Sequence, residues 1–243
     1  MLPAALLLLL TLIEFAAEIA DAPNLIFLSK STLLPLLAWT YARAVPAPAT
    51  AIDRRMRVAF AGSWVGDVAL MLAPAHPGDV AVLGLPKHEL WFLLGVCAFL
   101  VCHLALIGVF RDVDRPEAPA PLPARWPWLV PLALYLVTLG SFLVPRVLAD
   151  PTRSVAAGPV LVYASVLCTM VVMALQRYGR VAKRSFALTA AGAVVFLVSD
   201  SLIALVHLAR VPIPLPGLAI MVTYITAEVL IAAGVAVQRR GAA

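Results

Sequence analysis

The sequence predicts an all-α fold, a polytopic integral membrane protein built as an eight-transmembrane-helix bundle. Of its 243 residues, 63% are hydrophobic and only 13% are charged, and the mean hydropathy is +0.99. Soluble globular domains have roughly 25% charged residues, so nearly all of this chain is expected to lie in lipid. The apolar residues also fall into eight separate runs, each near the roughly 20 residues that a helix needs to cross a bilayer.

Polar, Pro-rich or Arg-rich segments separate these runs, and each run predicts one helix. The approximate bounds of the eight predicted helices are 2–20, 25–43, 57–73, 90–110, 127–148, 156–175, 185–208 and 217–237. The first run has an alternative interpretation as a signal peptide, because Ala20-Asp21-Ala22 loosely resembles a cleavage site. No Lys or Arg precedes it, however, and Glu14 and Glu18 interrupt it, so we interpret it as helix 1.

The longest break in the apolar pattern is a Pro-rich segment of mixed charge at about 112–126, between helices 4 and 5. Such a composition is typical of an extended linker. We therefore expect a single transmembrane domain, 1–243, in which this segment forms a cytoplasmic linker.

The distribution of Arg and Lys predicts the orientation. The links after helices 2, 4 and 6 and the C-terminal tail are rich in basic residues, whereas the opposite side has only Lys87, Arg146, Arg153 and Arg210. Basic residues favour the cytoplasmic side, so both termini are expected there. The Ala- and Arg-rich composition suggests a bacterial inner-membrane protein. This topology and anionic lipid account for the net charge of +5, so no nucleic-acid partner is expected.

Two carboxylates lie inside predicted helices, Asp67 in helix 3 and Asp200 in helix 7. A charge at bilayer depth costs about 2.5 to 3.5 kcal/mol, so a helix that keeps one usually needs it for pairing, transport or chemistry. Counting about 1.5 Å per residue from Arg57, we expect Asp67 around the midplane or somewhat beyond it. The same count from Arg184 places Asp200 in the outer half.

Further polar side chains inside the helices are candidates to line a cavity with these carboxylates: Lys30, His103, Tyr163, Ser199, Tyr224 and Glu228. Some of them have structural alternatives. The ammonium of Lys30 could reach the membrane interface, and a lone histidine such as His103 often only joins two helices by a hydrogen bond. The histidines show no ligand spacing, so a metal site is not expected. No cofactor is expected either.

Two other features are interpreted from helical spacing. Glu14 and Glu18 share one face of helix 1, where they either enter a cavity or remain hydrated near the outer surface. Gly62 and Gly66 form a G-x-x-x-G pair, which indicates close packing between helices.

The order of these motifs resembles that of the YhhN family, which contains the lysoplasmalogenases and their animal transmembrane relatives. The resemblance extends from about residue 25 to residue 235. It rests on five short motifs in order: Lys30 ahead of Leu33-Leu-Pro-Leu-Leu, Val65-Gly-Asp-Val-Ala-Leu-Met-Leu, Phe92-Leu-Leu-Gly-Val-Cys-Ala-Phe-Leu-Val-Cys-His, Ala191-Gly-Ala-Val-Val-Phe-Leu-Val-Ser-Asp-Ser-Leu and Thr223-Tyr-Ile-Thr-Ala-Glu-Val-Leu.

The resemblance implies hydrolysis of the vinyl ether bond of a lysoplasmalogen, which releases a fatty aldehyde and a glycerophospho-base. The implied partners are this lysophospholipid and the membrane lipids, with no obligate protein partner. The residues suit the reaction, because two neighbouring buried carboxyls can supply a proton donor and a carboxylate. We interpret Asp67 and Asp200 as this pair, without deciding which one is the acid.

Lys30 is assigned to the substrate phosphate or to keeping one Asp ionised, and the other polar candidates to the cavity wall. The alternative function is a small transporter or proton-coupled carrier, because intramembrane Asp, Glu and Lys residues also form proton relays. The sequence has no clear inverted repeat and no matching pair of Gly- or Pro-broken helices, which favours the enzyme.

Overall fold

The computed structural model describes residues 2–73, 81–82, 85–149 and 157–241. This part of the chain forms the long helices α1 (Leu2–Ile19), α2 (Pro23–Ala44), α3 (Ala51–Met71), α4 (Lys87–Arg111), α5 (Leu129–Ala149), α6 (Ala157–Leu175), α7 (Lys183–Ile203) and α8 (Pro216–Gly241). Strands β1 (Ala81–Val82) and β2 (Leu85–Pro86) form a short antiparallel pair before α4. A 3-10 turn at Trp126–Trp128 leads into α5, and a π-helical turn at Ala204–Leu208 follows α7.

All eight predicted helices are present, and seven of the helices in the described residues are long and apolar enough to cross a membrane. The exception is α3, which has a cluster of charged residues near its start: Asp53, Arg54, Arg55 and Arg57. The chain is therefore a multi-pass integral membrane protein. The number of crossings and the cytoplasmic position of both termini stay predictions, and Arg153 lies outside the described residues.

Helix α3 begins at Ala51, earlier than the predicted start at 57. The reason is a capping box, in which the backbone N–H of Thr50 donates to Asp53 Oδ2 at 2.7 Å. The hydroxyl of Tyr41 donates to the other oxygen of Asp53 at 2.8 Å. The apolar pattern does not reveal these charged first turns, because hydrogen bonds rather than hydropathy stabilise them.

The helices form two compact units, Met1–Val109 and Phe110–Ala243. In the first unit, α3 and α4 approach closely at the predicted glycine pair. A Cβ atom added to Gly62 would lie 2.8 Å from the carbonyl oxygen of Ala98 and 2.9 Å from the backbone nitrogen of Cys102. At Gly66 it would lie 2.5 Å from the Phe99 ring. Close packing at this pair is thus confirmed.

In the second unit, the contact between α7 and α8 is the most extensive in the described residues. Glycines bring these two helices together. A Cβ atom at Gly192 would lie 3.0 Å from the carbonyl oxygen of Ala227, and one at Gly234 would lie 2.9 Å from the backbone nitrogen of Thr189. The hydroxyl of Ser185 donates to the carbonyl oxygen of Gly234 at 2.8 Å. The α7–α8 pair therefore forms the core of this unit.

A buried arginine organises one end of the second unit. Arg177 is 0% exposed, and its guanidinium donates to Gln238 Oε1 at 2.7 Å and to Ser185 Oγ at 3.2 Å. Gln238 in turn donates to Asp114 Oδ1 at 2.9 Å and to the carbonyl oxygen of Asp112 at 3.0 Å. Burial lowers the pKa of Arg177 to about 10, against the opposing charges of Asp114 and Asp112, so it remains charged at neutral pH. The first residues of the predicted linker are therefore fixed to the end of α8.

We expect Gly62→Ala to lower the stability of the folded protein by about 1 to 3 kcal/mol, because the new methyl group meets backbone atoms that cannot turn away. The matched control is Gly140→Ala in α5, where nothing lies within 4 Å of an added Cβ atom. Thermal unfolding in detergent would measure both variants. A Gly62→Ala variant as stable as Gly140→Ala would show that α3 and α4 are not in close contact at this point.

Candidate functional site

The first group of polar side chains lies where α1 and α2 pack together. Glu14 on α1 is 0% exposed, and the hydroxyl of Ser29 on α2 donates to its Oε2 atom. The Oε1 atom of Glu14 is also buried and has no hydrogen-bond partner within the described part of the chain. Ser29 itself is 1% exposed and also lies 2.6 Å from the carbonyl oxygen of Leu25.

Lys30 follows Ser29 and is half-buried. It interacts electrostatically with both Glu14 and Glu18, which lie one helical turn apart on α1. Neither the Lys30 ammonium nor the Glu18 carboxylate makes a direct hydrogen bond or ion pair with any other described residue. We call Glu14, Glu18, Ser29 and Lys30 the α1–α2 cluster.

Asp67 and His103 belong to the same compact unit and are almost completely buried. Asp67 is 3% exposed and lies past the middle of α3, about 6 Å from its end at Met71. His103 on α4 is 0% exposed. One turn before Asp67, the hydroxyl of Ser63 donates to Cys102 Sγ at 3.1 Å, which joins α3 to α4 beside His103.

In the second unit, Asp200 on α7 is 8% exposed. The hydroxyl of Tyr163 on α6 donates to Asp200 Oδ2 at 2.5 Å. The structure therefore brings two of the predicted site residues into direct contact. Because the hydrogen bond fixes one oxygen of the carboxyl group, it orients the side chain within an apolar helix pair.

A second pair of hydroxyl groups lies beside Asp200. The Tyr135 hydroxyl on α5 is hydrogen-bonded to that of Ser201, which also lies 2.5 Å from the carbonyl oxygen of Leu197. The sequence prediction missed both residues. Signals for them were present, since Ser201 directly follows Asp200 and Tyr135 is the only tyrosine of the predicted helix 5.

The predicted residues of the α7–α8 contact are buried as well. The hydroxyl of Ser199 donates to the carbonyl oxygen of Ile220 at 3.3 Å. Tyr224 packs edge-on against Phe196, with ring centroids 5.7 Å apart. Glu228 lies one turn beyond Tyr224, near the middle of α8. Ser199 thus helps to hold the two helices together.

The predicted site residues are divided between the two units. Lys30, Asp67 and His103 belong to the first, whereas the second contains Tyr163, Ser199, Asp200, Tyr224 and Glu228. A single cavity lined by all of them stays a prediction. Among the described residues, no group of three or more His, Cys, Asp or Glu side chains has an arrangement that could hold a metal ion.

Comparison with known proteins gives one match. The model of the YhhN family matches residues 25–235, which include all eight predicted site residues and begin after α1. No curated protein and no solved structure matches the chain. The family match covers far more than half of the 243 residues and contains the helices that bear both membrane carboxylates. The chain therefore belongs to the YhhN family.

Proposed function

We propose that this protein hydrolyses the vinyl ether bond of lysoplasmalogens and releases a fatty aldehyde and a glycerophospho-base. The YhhN family is associated with lysoplasmalogenase, which supports the substrate class. The observation that carries the proposal is the carboxyl group of Asp200, buried in an apolar membrane helix and oriented by the hydroxyl of Tyr163. A carboxyl group in such a place is rarely kept without a function.

The chemistry needs acid and base groups but no cofactor. A proton adds to the alkene carbon that is not bound to oxygen, and the ether oxygen stabilises the resulting oxocarbenium ion. Water adds to the cationic carbon and gives up a proton to a carboxylate. The hemiacetal then loses its glycerol oxygen, which departs with a proton, and becomes the aldehyde. One group must therefore donate a proton and another must accept one.

We assign these two roles to Asp67 and Asp200. Under the predicted topology, with both termini in the cytoplasm of a bacterium, α3 and α7 each run outward and end at the outer face. Asp67 and Asp200 then lie in the outer halves of their helices. Lys30 and Tyr163 lie in the first two turns of α2 and α6, which begin at that face. A lysophospholipid of the outer leaflet would present its vinyl ether near this depth.

We expect the purified protein to release fatty aldehyde from a lysoplasmalogen and to leave the saturated ether analogue intact, because only the vinyl ether can be protonated to an oxocarbenium ion. Aldehyde release would be followed by coupled reduction with a nicotinamide cofactor. If vinyl ether lipids with several head groups gave no aldehyde, and liposomes showed substrate-dependent proton flux instead, the protein would be a carrier.

Asp67→Asn and Asp200→Asn are each expected to lower kcat by about 10² or more, because asparagine keeps the shape of the side chain but cannot exchange the proton. The matched control is Glu117→Gln, which removes one carboxylate from an exposed site in the linker. Steady-state kinetics on well-folded preparations would measure all three variants.

Tyr163→Phe belongs to the same series and should lower kcat less than Asp200→Asn does, since it removes the orienting hydrogen bond but keeps the carboxyl group of Asp200. If both Asp variants kept nearly the wild-type kcat, the two carboxylates would have only a structural role. Glu228 and Glu14 would then be the next groups to substitute.

Activity is expected to survive EDTA, because both proton-transfer roles are assigned to carboxyl groups. The measurement is aldehyde release before and after dialysis against the chelator, with readdition of zinc. Loss of activity on chelation and recovery with zinc would contradict the mechanism of two carboxylates.

A further inference from the structure

The α1–α2 cluster contains three charged groups whose partners are incomplete. Glu14 is fully buried, yet its Oε1 atom accepts no hydrogen bond from any described residue. Lys30 and Glu18 are half-buried and lack direct ion-pair partners in the same part of the chain. A buried carboxylate oxygen without a donor costs about 1 to 3 kcal/mol or more, so this oxygen is a place where an additional donor would stabilise the cluster.

The cluster lies close to the membrane surface. Glu14 is about 8 Å along α1 from the helix end at Ile19, and Lys30 is about 10 Å along α2 from its start at Pro23. The hydrocarbon core of a bilayer is about 30 Å thick, and its head groups lie beyond it on either side. A polar head group drawn a short distance inward would therefore reach the cluster.

The charges of the cluster suit a zwitterion better than an anion. Lys30 interacts electrostatically with the carboxyl groups of both Glu14 and Glu18. A phosphate alone would be attracted by Lys30 and repelled by both carboxylates. A ligand that carries a phosphate and a nearby ammonium group can satisfy all three side chains through charge-assisted hydrogen bonds.

We propose that the α1–α2 cluster binds the phosphoethanolamine head group of the lysophospholipid substrate. Lys30 binds the phosphate, while Glu18, nearer the surface, and Glu14, one turn deeper, bind the primary ammonium. This assignment rests on the proposed function for the identity of the lipid. A primary ammonium has N–H groups that can donate to Glu14 Oε1, whereas the trimethylammonium of choline has none, so ethanolamine is preferred.

The family match begins at residue 25, after Glu14 and Glu18. Lys30 lies within the matched region, and the two acidic residues of the cluster precede it.

The test measures binding rather than turnover. The probes are lysophosphoethanolamine and lysophosphocholine with a saturated alkyl ether chain, which cannot be hydrolysed. The protein is placed in nanodiscs of phosphatidylglycerol, so that the probe is the only amine lipid present. We expect the wild-type protein to bind the ethanolamine probe about tenfold more tightly than the choline probe. This ratio corresponds to the free energy that one charge-assisted hydrogen bond contributes to binding.

The variants separate the two halves of the head group. Glu14→Gln and Glu18→Gln should each weaken binding of the ethanolamine probe more than binding of the choline probe, because choline loses only the attraction of the charges whereas ethanolamine also loses a charge-assisted hydrogen bond. Lys30→Met should weaken both, because both probes carry the phosphate. The matched control is Asp21→Asn, which removes a nearby exposed carboxylate and should keep the wild-type preference.

Equal affinity of the wild-type protein for both probes would overturn the proposal, as would a Glu18→Gln variant that weakens both probes alike. Competition by diacyl phosphatidylethanolamine as strong as by the lysolipid would show that a bilayer lipid occupies the cluster and would overturn the substrate assignment. Aldehyde release is measured separately. If the protein prefers the ethanolamine probe but releases no aldehyde, the proposed hydrolase activity is wrong and the head-group site stands. If it releases aldehyde but shows no preference between the probes, the hydrolase activity stands and the head-group site is wrong.

Discussion

The absence of water from the hydrocarbon core is the constraint on which the rest of this structure depends. Every backbone polar group there must be paired within a helix, and every buried polar side chain needs a partner within its reach. Helices can then be held together by close packing at small residues, as at Gly62 and Gly192. Polar side chains remain where a hydrogen bond or a ligand compensates for the lost water.

The same constraint explains how the polar groups are arranged. The hydroxyl of Tyr163 donates a hydrogen bond to Asp200, and the hydroxyls of Tyr135 and Ser201 are hydrogen-bonded to each other. Each of these hydrogen bonds joins α7 to a neighbouring helix. Arg177 donates to Gln238 and Ser185 at one end of the second unit. Glu14 accepts a hydrogen bond from Ser29 through Oε2, whereas its buried Oε1 atom has no partner among the described residues. That carboxyl group, next to Lys30 and Glu18, is what makes the α1–α2 cluster a candidate for binding a head group.

Much of the fold could be predicted because hydropathy reports directly on helices in lipid. The eight helices lie where the apolar runs indicated, and the glycine pair of α3 marks a close contact. The start of α3 was predicted too late, because Thr50, Asp53 and Tyr41 stabilise its charged first turns through hydrogen bonds. For the site, burial of Asp67 and Asp200 followed from their apolar surroundings. Tyr135 and Ser201 were missed: the sequence places Ser201 next to Asp200 but does not show that the Tyr135 hydroxyl reaches Ser201 from another helix.

The sequence by itself determined the membrane class, the number and approximate bounds of the helices, and which ionisable groups lie inside them. These properties are local, because the free energy of placing a residue in lipid depends mainly on that residue and its helix. Only the tertiary structure decided which side chains meet across helices, such as Tyr163 with Asp200 and Ser29 with Glu14. It also decided that one oxygen of Glu14 is buried without a donor from the described part of the chain. Such contacts depend on the rotation and separation of packed helices, which side-chain shape sets and hydropathy does not record.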